Sequence, residues 1–400
     1  MDPESFAQLL TPPGWALLDG LPPYDEGTAM HLGEALRAQG LDPGLVAAAL
    51  TQSRLRARAT SKFGEFASSM LFTPDGLEQA TRLSVAVRHA RRYLDAGLSY
   101  VADLGCGIGG DAMALAGLEL RVLAVEADEM TAAIATVNLR QLPEAEVRHG
   151  DAFEADLSGV DGIWADPARR TSAGARLRDL RSYSPSVERL LALRESVPAL
   201  GLKLGPAIAH GDVPDDAHAQ WVSVDGTVLE ADLWFGPLAP EGPGRSALVV
   251  TGDDAAVLAQ EGTPSSPVVT APSGPVAEYL YEPDGAVIRA GLVADLARDL
   301  DGHLLDPRIA YVTTSLAHPT PFAHGFRVLD EFAFSLKRLR AYLRERDVGT
   351  LEIKKRGTAV VPEQLRSQLQ LRGRASATVA LTRIGGAPRV LVLERLGRDG

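Results

Sequence analysis

Four glycines within six residues, Gly105, Gly107, Gly109 and Gly110, constrain this 400-residue chain more than any other feature. They sit in YVADLGCGIGGD, Tyr100 to Asp111, where an apolar run (Val101, Ala102, Leu104) enters the cluster and a helix-forming run, 112–118, leaves it. That order is the strand, glycine turn and helix that open a nucleotide-binding α/β unit. Without a Cβ the backbone can turn sharply and approach a ligand closely. The spacing is D-x-G-x-G-x-G-G rather than G-x-G-x-x-G, and Asp103 precedes it. A pyrophosphate favours a helix N-terminus free of negative charge, so a carboxylate here points to a cationic ligand instead.

The surrounding pattern gives the fold class. Strands are expected at 99–104, 121–126, 145–149, 162–165, 201–205 and 247–250, and helices at 111–117, 128–140 and 186–195. This alternation predicts an α/β fold, a Rossmann-like doubly wound parallel sheet. The stretch 221–236 reads as a hairpin around Asp225–Gly226 that supplies a late antiparallel edge. Residues 1–95 read as a helical region, with one helix starting at Asp42–Pro43. A second, across 73–94, places Leu77, Ala80, Leu83, Ala86, Val87, Ala90 and Leu94 on one face. Between them, 61–72 is aromatic and glycine-interrupted and is expected to be a loop or gate. Residues 236–275, rich in Pro, Gly and Ser, are expected to flank the 247–250 strand and then form a linker over 262–275. Beyond it lies a small α+β module, 276–400 with a core of about 326–396. It is read as a turn and helix from Tyr279, and an amphipathic helix from Arg327 with Phe332, Leu336, Leu339 and Leu343 inward. A strand (LEIKKRG), a helix (VPEQLRSQLQL) and a hairpin over 378–395 complete it. The expected domains are therefore 1–95, 96–260 and 276–400.

Four acids fall at four successive predicted strand ends: Asp103, Glu126, Asp151 and Asp166. In a parallel sheet those ends line the edge where ligands bind. S-adenosylmethionine (AdoMet), with its ammonium and sulfonium, suits such an edge. Asp103 would face the cationic methionine part, and Glu126 would accept from both ribose hydroxyls, since one carboxylate offers two oxygens. Asp151 would accept from the adenine amine, and Asp166 would lie near the methyl group. Acids after strands also serve as helix N-caps, and that reading stays open for Asp151.

On these residues, 101–170 resemble the class I AdoMet-dependent methyltransferases. CGIGGD, with KFGEF upstream and Asp166–Pro167 downstream, is most similar to the trimethylguanosine-synthase-like branch. The C-terminal segment, above all LEIKKRG, resembles a THUMP-like domain. The resemblance implies Gly105, Gly107 and Gly109 as the cofactor turn and Asp166 and Pro167 as the catalytic pair. It also implies a C-terminal module that presents RNA to the catalytic domain. Amino-group methyltransferases carry an acidic or polar residue, then Pro-Pro and an aromatic; this chain has Ala168 and Arg169 in the last two places. Arg169 and Arg170 are candidates for stacking on a base or binding phosphate, or else an exposed loop pair. Trp164, Phe63 or Phe66 would supply the missing aromatic wall, unless Trp164 is strand core. Lys62 is a candidate phosphate contact or a surface lysine.

Composition limits what remains. Cys106 is the single cysteine, so intrachain disulfides and multi-cysteine zinc sites are excluded and a reducing, cytoplasmic compartment is expected. It sits in the cofactor turn, which argues against a cysteine nucleophile and C5-pyrimidine methylation. The eight histidines show no metal-ligand spacing, and His318 and His324 read as loop residues. No apolar run would span a bilayer, and the start, MDPESFAQLL, lacks the features of a secretory signal. The preference for Arg, Ala, Gly and Pro over Lys matches a high-GC bacterial bias. The net charge of −12 is segregated: residues 327–400 carry twice as many Lys and Arg as Asp and Glu. A basic tail unit beside an acidic core fits an enzyme with a polyanion-binding module, or two solvated faces. Lys354, Lys355 and Arg356, at a strand–helix turn, are the candidates for holding RNA phosphates. The expected activity is N-methylation of a nucleotide in structured RNA, tRNA or rRNA, without metal or membrane. The alternatives are a small-molecule or protein methyltransferase, and a non-catalytic RNA-binding protein that keeps the fold.

Overall fold

The computed structural model describes residues 3–169, 180 and 183–397. The chain forms two compact units, Met1–Lys203 with Trp234–Pro240, and Leu204–Leu233 with Glu241–Gly400.

The first unit opens with α1 (Pro3–Leu9), α2 (Pro12–Asp19), α3 (Glu26–Ala38), α4 (Pro43–Phe63), α5 (Pro74–Gln79) and α6 (Leu83–Asp95). Thr11, Asp25, Asp42 and Thr73 cap α2 to α5, each side-chain oxygen accepting a backbone N–H of the first turn. Two expectations are corrected here. The stretch 61–72 is not a gate: α4 runs through Phe63, a 3-10 turn covers Gly64–Ser69, and Met70, Leu71 and Phe72 are buried. Two buried amides pin it. Gln52 accepts from Phe72 N–H at 3.0 Å and donates to its carbonyl at 2.7 Å, while Asn138 does the same for Leu71 at 2.8 and 3.0 Å. Nor is 73–94 one helix. It breaks after Gln79, where Lys62 Nζ donates to the carbonyls of Leu77, Glu78 and Ala80 at 2.8, 2.7 and 2.7 Å. The break resets the phase, so α6 buries Val85, Ala86, His89, Ala90 and Tyr93, and leaves Val87 and Leu94 exposed.

The parallel sheet follows: β1 (Tyr100–Leu104), α7 (Gly110–Gly117), β2 (Arg121–Glu126), α8 (Glu129–Asn138), β3 (Ala145–His149) and β4 (Gly162–Ala165). A short pair, β5 (Ala168–Arg169) with β6 (Tyr183–Ser184), then α9 (Val187–Ala192) and β7 (Leu200–Leu204) complete it. The order in this unit is β3-β2-β1-β4-β7, every pair parallel. Strands β1, β4 and β7 are buried along their whole length, as a parallel sheet covered on both faces requires. Trp164 of β4 stacks on Trp234 at 5.5 Å and is 1% exposed, so it is core rather than a substrate wall.

The second unit contains β8 (His218–Val224) and all but the last residue of β9 (Thr227–Trp234), turned at Asp225–Gly226 with φ of +50° and +77°, the twist that tight hairpins need. The antiparallel pair β10 (Gly244–Thr251) and β11 (Asp254–Glu261) follows; β11, mostly exposed and alanine-rich, was not expected. The end of the 262–275 stretch is paired: Gly274 N–H donates to Leu304 and Leu304 N–H to Pro272, both at 2.9 Å.

The remaining elements are β12 (Tyr279–Pro283), α10 (Gly285–Ala290), α11 (Val293–Asp299), β13 (His303–Asp306), β14 (Ile309–Thr314) and β15 (Ala323–Ala333). They continue through α12 (Leu336–Glu345), β16 (Val348–Lys355), α13 (Pro362–Leu369), β17 (Ala375–Ile384) and β18 (Ala387–Arg395). Their sheet runs β13-β14-β12-β15-β18-β17-β16, with β16–β17 parallel. The single helix expected after Tyr279 is a strand and two helices, parted at Gly291 (φ +74°). The helix expected from Arg327 begins only at Leu336. Before it, β15 pairs with both β12 and β18, and this tertiary pairing overrides helix propensity. Phe332 is buried, but from the strand; Leu339 and Leu343 are buried from α12. Among the described residues no helix is long and apolar enough to cross a membrane.

Candidate functional site

In the first unit the sheet order reverses at β1, with β2 on one side and β4 on the other. A cleft of about 1140 Å³ opens at this point, beyond the carboxyl ends of the strands, where ligands bind in such sheets. Asp103, Glu126, Asp151 and Asp166 all line it, together with Gly105 and Gly107. Thr73, Asp75, Gly76 and Thr81 form another wall, so the helical region contributes directly.

The turn after β1 is built from backbone. Gly105, Gly107 and Gly109 take φ of +87°, +56° and +84°, a region that side chains disfavour. Gly105 and Cys106 donate their N–H groups to Val125 at 2.9 and 3.0 Å, which ties the turn to β2. Gly109 is the N-cap of α7, and a Cβ there would meet Leu139 at 3.2 Å. Phe63 also supports this turn from below; it is 1% exposed and packs on Phe72. It is core, which corrects its assignment to the substrate. Lys62 is corrected likewise, since its ammonium serves the end of α5.

Each acid has a distinct environment. Glu126 accepts from Gly107 N–H and Asp128 N–H, both at 2.9 Å, one on each oxygen, and keeps lone pairs for a ligand diol. Asp151 accepts from Phe153 N–H at 2.8 Å and is exposed, a turn role that leaves one oxygen to the cleft. Asp103 is 1% exposed, and its Oδ2 has no hydrogen-bond partner. Burial, then the neighbouring Asp111, Asp166 and Glu126, push its carboxyl well above the usual range, against the pull of Lys203. A buried acceptor with no donor is costly. A cationic group in the cleft would supply both donor and counter-charge, so the donor set fits the ammonium and sulfonium of AdoMet.

Asp166 forms an ion pair with Lys203 of β7. Lys203 is 8% exposed and also donates to Thr81 Oγ at 2.8 Å; Thr81 in turn donates to Asp111 Oδ2 at 2.8 Å. His89 Nδ1 lies 3.4 Å from the other oxygen of Asp111. Burial works against the charged form of Asp111, but His89, Lys203 and Thr81 outweigh it and hold this carboxyl below the usual range. Sequence reasoning passed over Lys203, Thr81, Asp111 and His89. The available signal was a lone lysine in the apolar strand LGLKL.

Pro167 is buried beside Asp166. Arg169 is placed by its backbone alone, pairing with Tyr183, and Arg170 lies outside the described residues. The Cys106 thiol lines the cleft, and burial, followed by Asp103 and Glu126, pushes it well up; it stays protonated and a poor nucleophile. The basic turn of the second unit does not present three free cations. Lys354 pairs with Glu282 at 2.7 Å, Arg356 with the same carboxylate at 3.6 Å, and Lys355 donates to Val360 at 3.1 Å. Lys337, Arg344, Arg372 and Arg374 are exposed and, among the described residues, unpaired. Arg344 and Arg372 flank a groove of about 400 Å³. His318 is held through its backbone by the Tyr281 hydroxyl, and His324 lies on β15 rather than in a loop.

Known proteins resemble the chain over most of its length. Residues 323–395 match the family described as THUMP domain-like, and residues 2–59 match a domain of unknown function (DUF8688). Uncharacterized S-adenosylmethionine-dependent methyltransferases from two strains of Mycobacterium tuberculosis, CDC 1551 / Oshkosh and ATCC 25618 / H37Rv, are each 35% identical over 340 residues. That alignment covers 83% of this chain and 91% of theirs. The crystal structure of a Porphyromonas gingivalis W83 protein described as a methyltransferase has the same fold, with a TM-score of 0.73 at 20% identity. It matches over 94% of this chain and 100% of that one.

Proposed function

The chain belongs to the S-adenosylmethionine-dependent methyltransferases, and from that premise we propose that it methylates a nitrogen of a nucleotide in structured RNA, tRNA or rRNA. One observation carries the reading of the site: the carboxylates of four successive strand ends line a single cleft, and the most buried of them, Asp103, has an oxygen without a partner. AdoMet supplies a methyl group activated by its sulfonium. In this reading Asp103 meets the ammonium, Glu126 the ribose hydroxyls and Asp151 the adenine amine, while Gly105, Gly107 and Gly109 shape the turn against them. Asp166, with Pro167, accepts the N–H of the target amine and aims its lone pair at the methyl carbon. Positioning of this kind is worth up to about 7–11 kcal/mol. The protonated Cys106 supports a nitrogen acceptor over a carbon that needs thiolate attack.

The RNA assignment rests on the match of residues 323–395 to the THUMP domain-like family and on the free cations Lys337, Arg344, Arg372 and Arg374. The helical region, 1–95, covers the methyl donor, the 96–260 domain binds it, and the 276–400 module holds the RNA. The single cysteine supports a cytoplasmic site of action. A small-molecule or protein acceptor is the second reading. It is favoured by the cleft itself, where Arg189 is the one cation among the described lining residues beside many carboxylates. Cell extract incubated with the protein and methyl-labelled AdoMet, then separated into RNA, protein and small molecules, decides. Label in the RNA fraction at a nitrogen is the expected result, and label confined to another fraction overturns the RNA assignment.

A further inference from the structure

We propose that Lys203 is a positioning residue of the cofactor cleft: its buried ammonium ties Asp166 to the Thr81–Asp111 pair and is the cation that sets the carboxylate cluster in place to receive the methyl donor. The proposal rests on the reading of this cleft as the AdoMet site.

The groups facing the cluster come from several elements. They include Asp103 on β1, the Cys106 thiol in the turn after it, Glu126 on β2, Asp111 on α7, Asp166 after β4, His89 on α6, and Lys203 on β7. Four are carboxylates, three of them within the sphere that presses on Asp103. Lys203 is the cation that opposes them at Asp103, and it acts in the same direction at Asp111. Its contacts are specific. It pairs with Asp166 Oδ2, and it donates at 2.8 Å to a threonine hydroxyl whose own proton goes to Asp111. A lysine 8% exposed in an otherwise apolar strand is expensive unless it is paired and hydrogen-bonded, and here Asp166 and Thr81 do both. Thr81 belongs to the segment between α5 and α6 that lines the cleft, so the same ammonium joins the helical wall to the acceptor-side carboxylate. Without Lys203, Asp103 loses the cation that opposes its burial and its neighbouring acids, and a protonated Asp103 offers little to a cationic ligand.

Calorimetric titration with AdoMet between pH 6 and pH 9 tests this without an acceptor. Wild type is the control: if it binds no AdoMet, the reading of the cleft fails rather than the role of Lys203. Lys203→Met is expected to bind about tenfold or more weakly at pH 7, with the loss shrinking toward pH 9 as Asp103 ionises unaided. Lys203→Met/Asp166→Asn is expected to recover most of the loss, because a part-buried ion pair replaced on both sides leaves no stranded charge. A mere packing role predicts no recovery. If Lys203→Met does not fold, Thr81→Val, which removes the hydroxyl while keeping the shape, carries the test with a smaller loss of the same pH dependence. Affinity within about threefold of wild type across the pH range, or a double variant no better than the single, overturns the proposal.

Discussion

The backbone N–H of Gly107 donates to Glu126 Oε2 at 2.9 Å, so the residue expected to hold the ribose also fixes the turn that receives it. Its other oxygen takes Asp128 N–H at 2.9 Å, one residue before α8. Glu126→Ala removes two charge-assisted bonds at once, each worth about 1.5–3 kcal/mol. AdoMet affinity is expected to fall by roughly 100-fold, and Glu126→Gln, which keeps one acceptor, by roughly tenfold. Calorimetry on the two variants checks this. Equal losses would mean that charge rather than turn geometry matters.

Asp103 gives a stability prediction opposite to its binding role. Its carboxyl is pushed up by burial and by Asp111, Asp166 and Glu126. For an acid raised on folding, the folded state holds the proton more tightly than the unfolded chain does. The group's contribution is therefore full below the ordinary carboxylate range and lost as pH rises through the raised value. Ligand-free Asp103→Asn should melt higher than wild type at pH 8 and equally at pH 4, while binding AdoMet at least about tenfold more weakly. Differential scanning calorimetry at the two pH values, with and without AdoMet, is the measurement. A lower Tm at pH 8 would count against the strained-carboxylate account.

How much of this was legible beforehand depended on the kind of contact involved. Strands β1, β2 and β4 were readable because buried parallel strands are short apolar runs closed by an acid or glycine, so Asp103, Glu126 and Asp166 could be put on one edge. The phase of α6 was not, because the break before it depends on Lys62, whose three acceptors lie 15 to 18 residues away. Strand β15 was hidden for a similar reason: RVLDEFAF has helical spacing, and only β12 and β18 on either side make it a strand. Lys203 and Thr81 meet across 122 residues, and no local pattern marks such a pair.

Lys62 now predicts stability rather than recognition. Its ammonium satisfies the carbonyls of Leu77, Glu78 and Ala80, which α5 leaves open at its end. Lys62→Met keeps the stem and loses the donors. It should cost about 2–3 kcal/mol, taking bonds to a charged donor as non-additive. The salt dependence of RNA binding should not change. Chemical denaturation and a filter-binding series on the same preparation separate the two effects; a flatter salt slope would return Lys62 to the RNA surface.

The second unit predicts which cations meet RNA. Lys354 and Arg356 are engaged with Glu282, whereas Arg344, Arg372 and Arg374 are exposed and unpaired among the described residues. Each phosphate contact contributes roughly 0.7–0.9 to the slope of log affinity against log salt. Replacing the three arginines by alanine should flatten that slope by roughly 2 with little change in Tm. Lys354→Ala should do the reverse. It leaves the part-buried Glu282 short of its nearest partner, at a cost of about 1–3 kcal/mol, and keeps the slope. Filter binding of bulk tRNA between 50 mM and 200 mM salt, read beside thermal melts, distinguishes them. If Lys354→Ala flattens the slope while the triple variant does not, the basic turn holds the RNA and the groove does not.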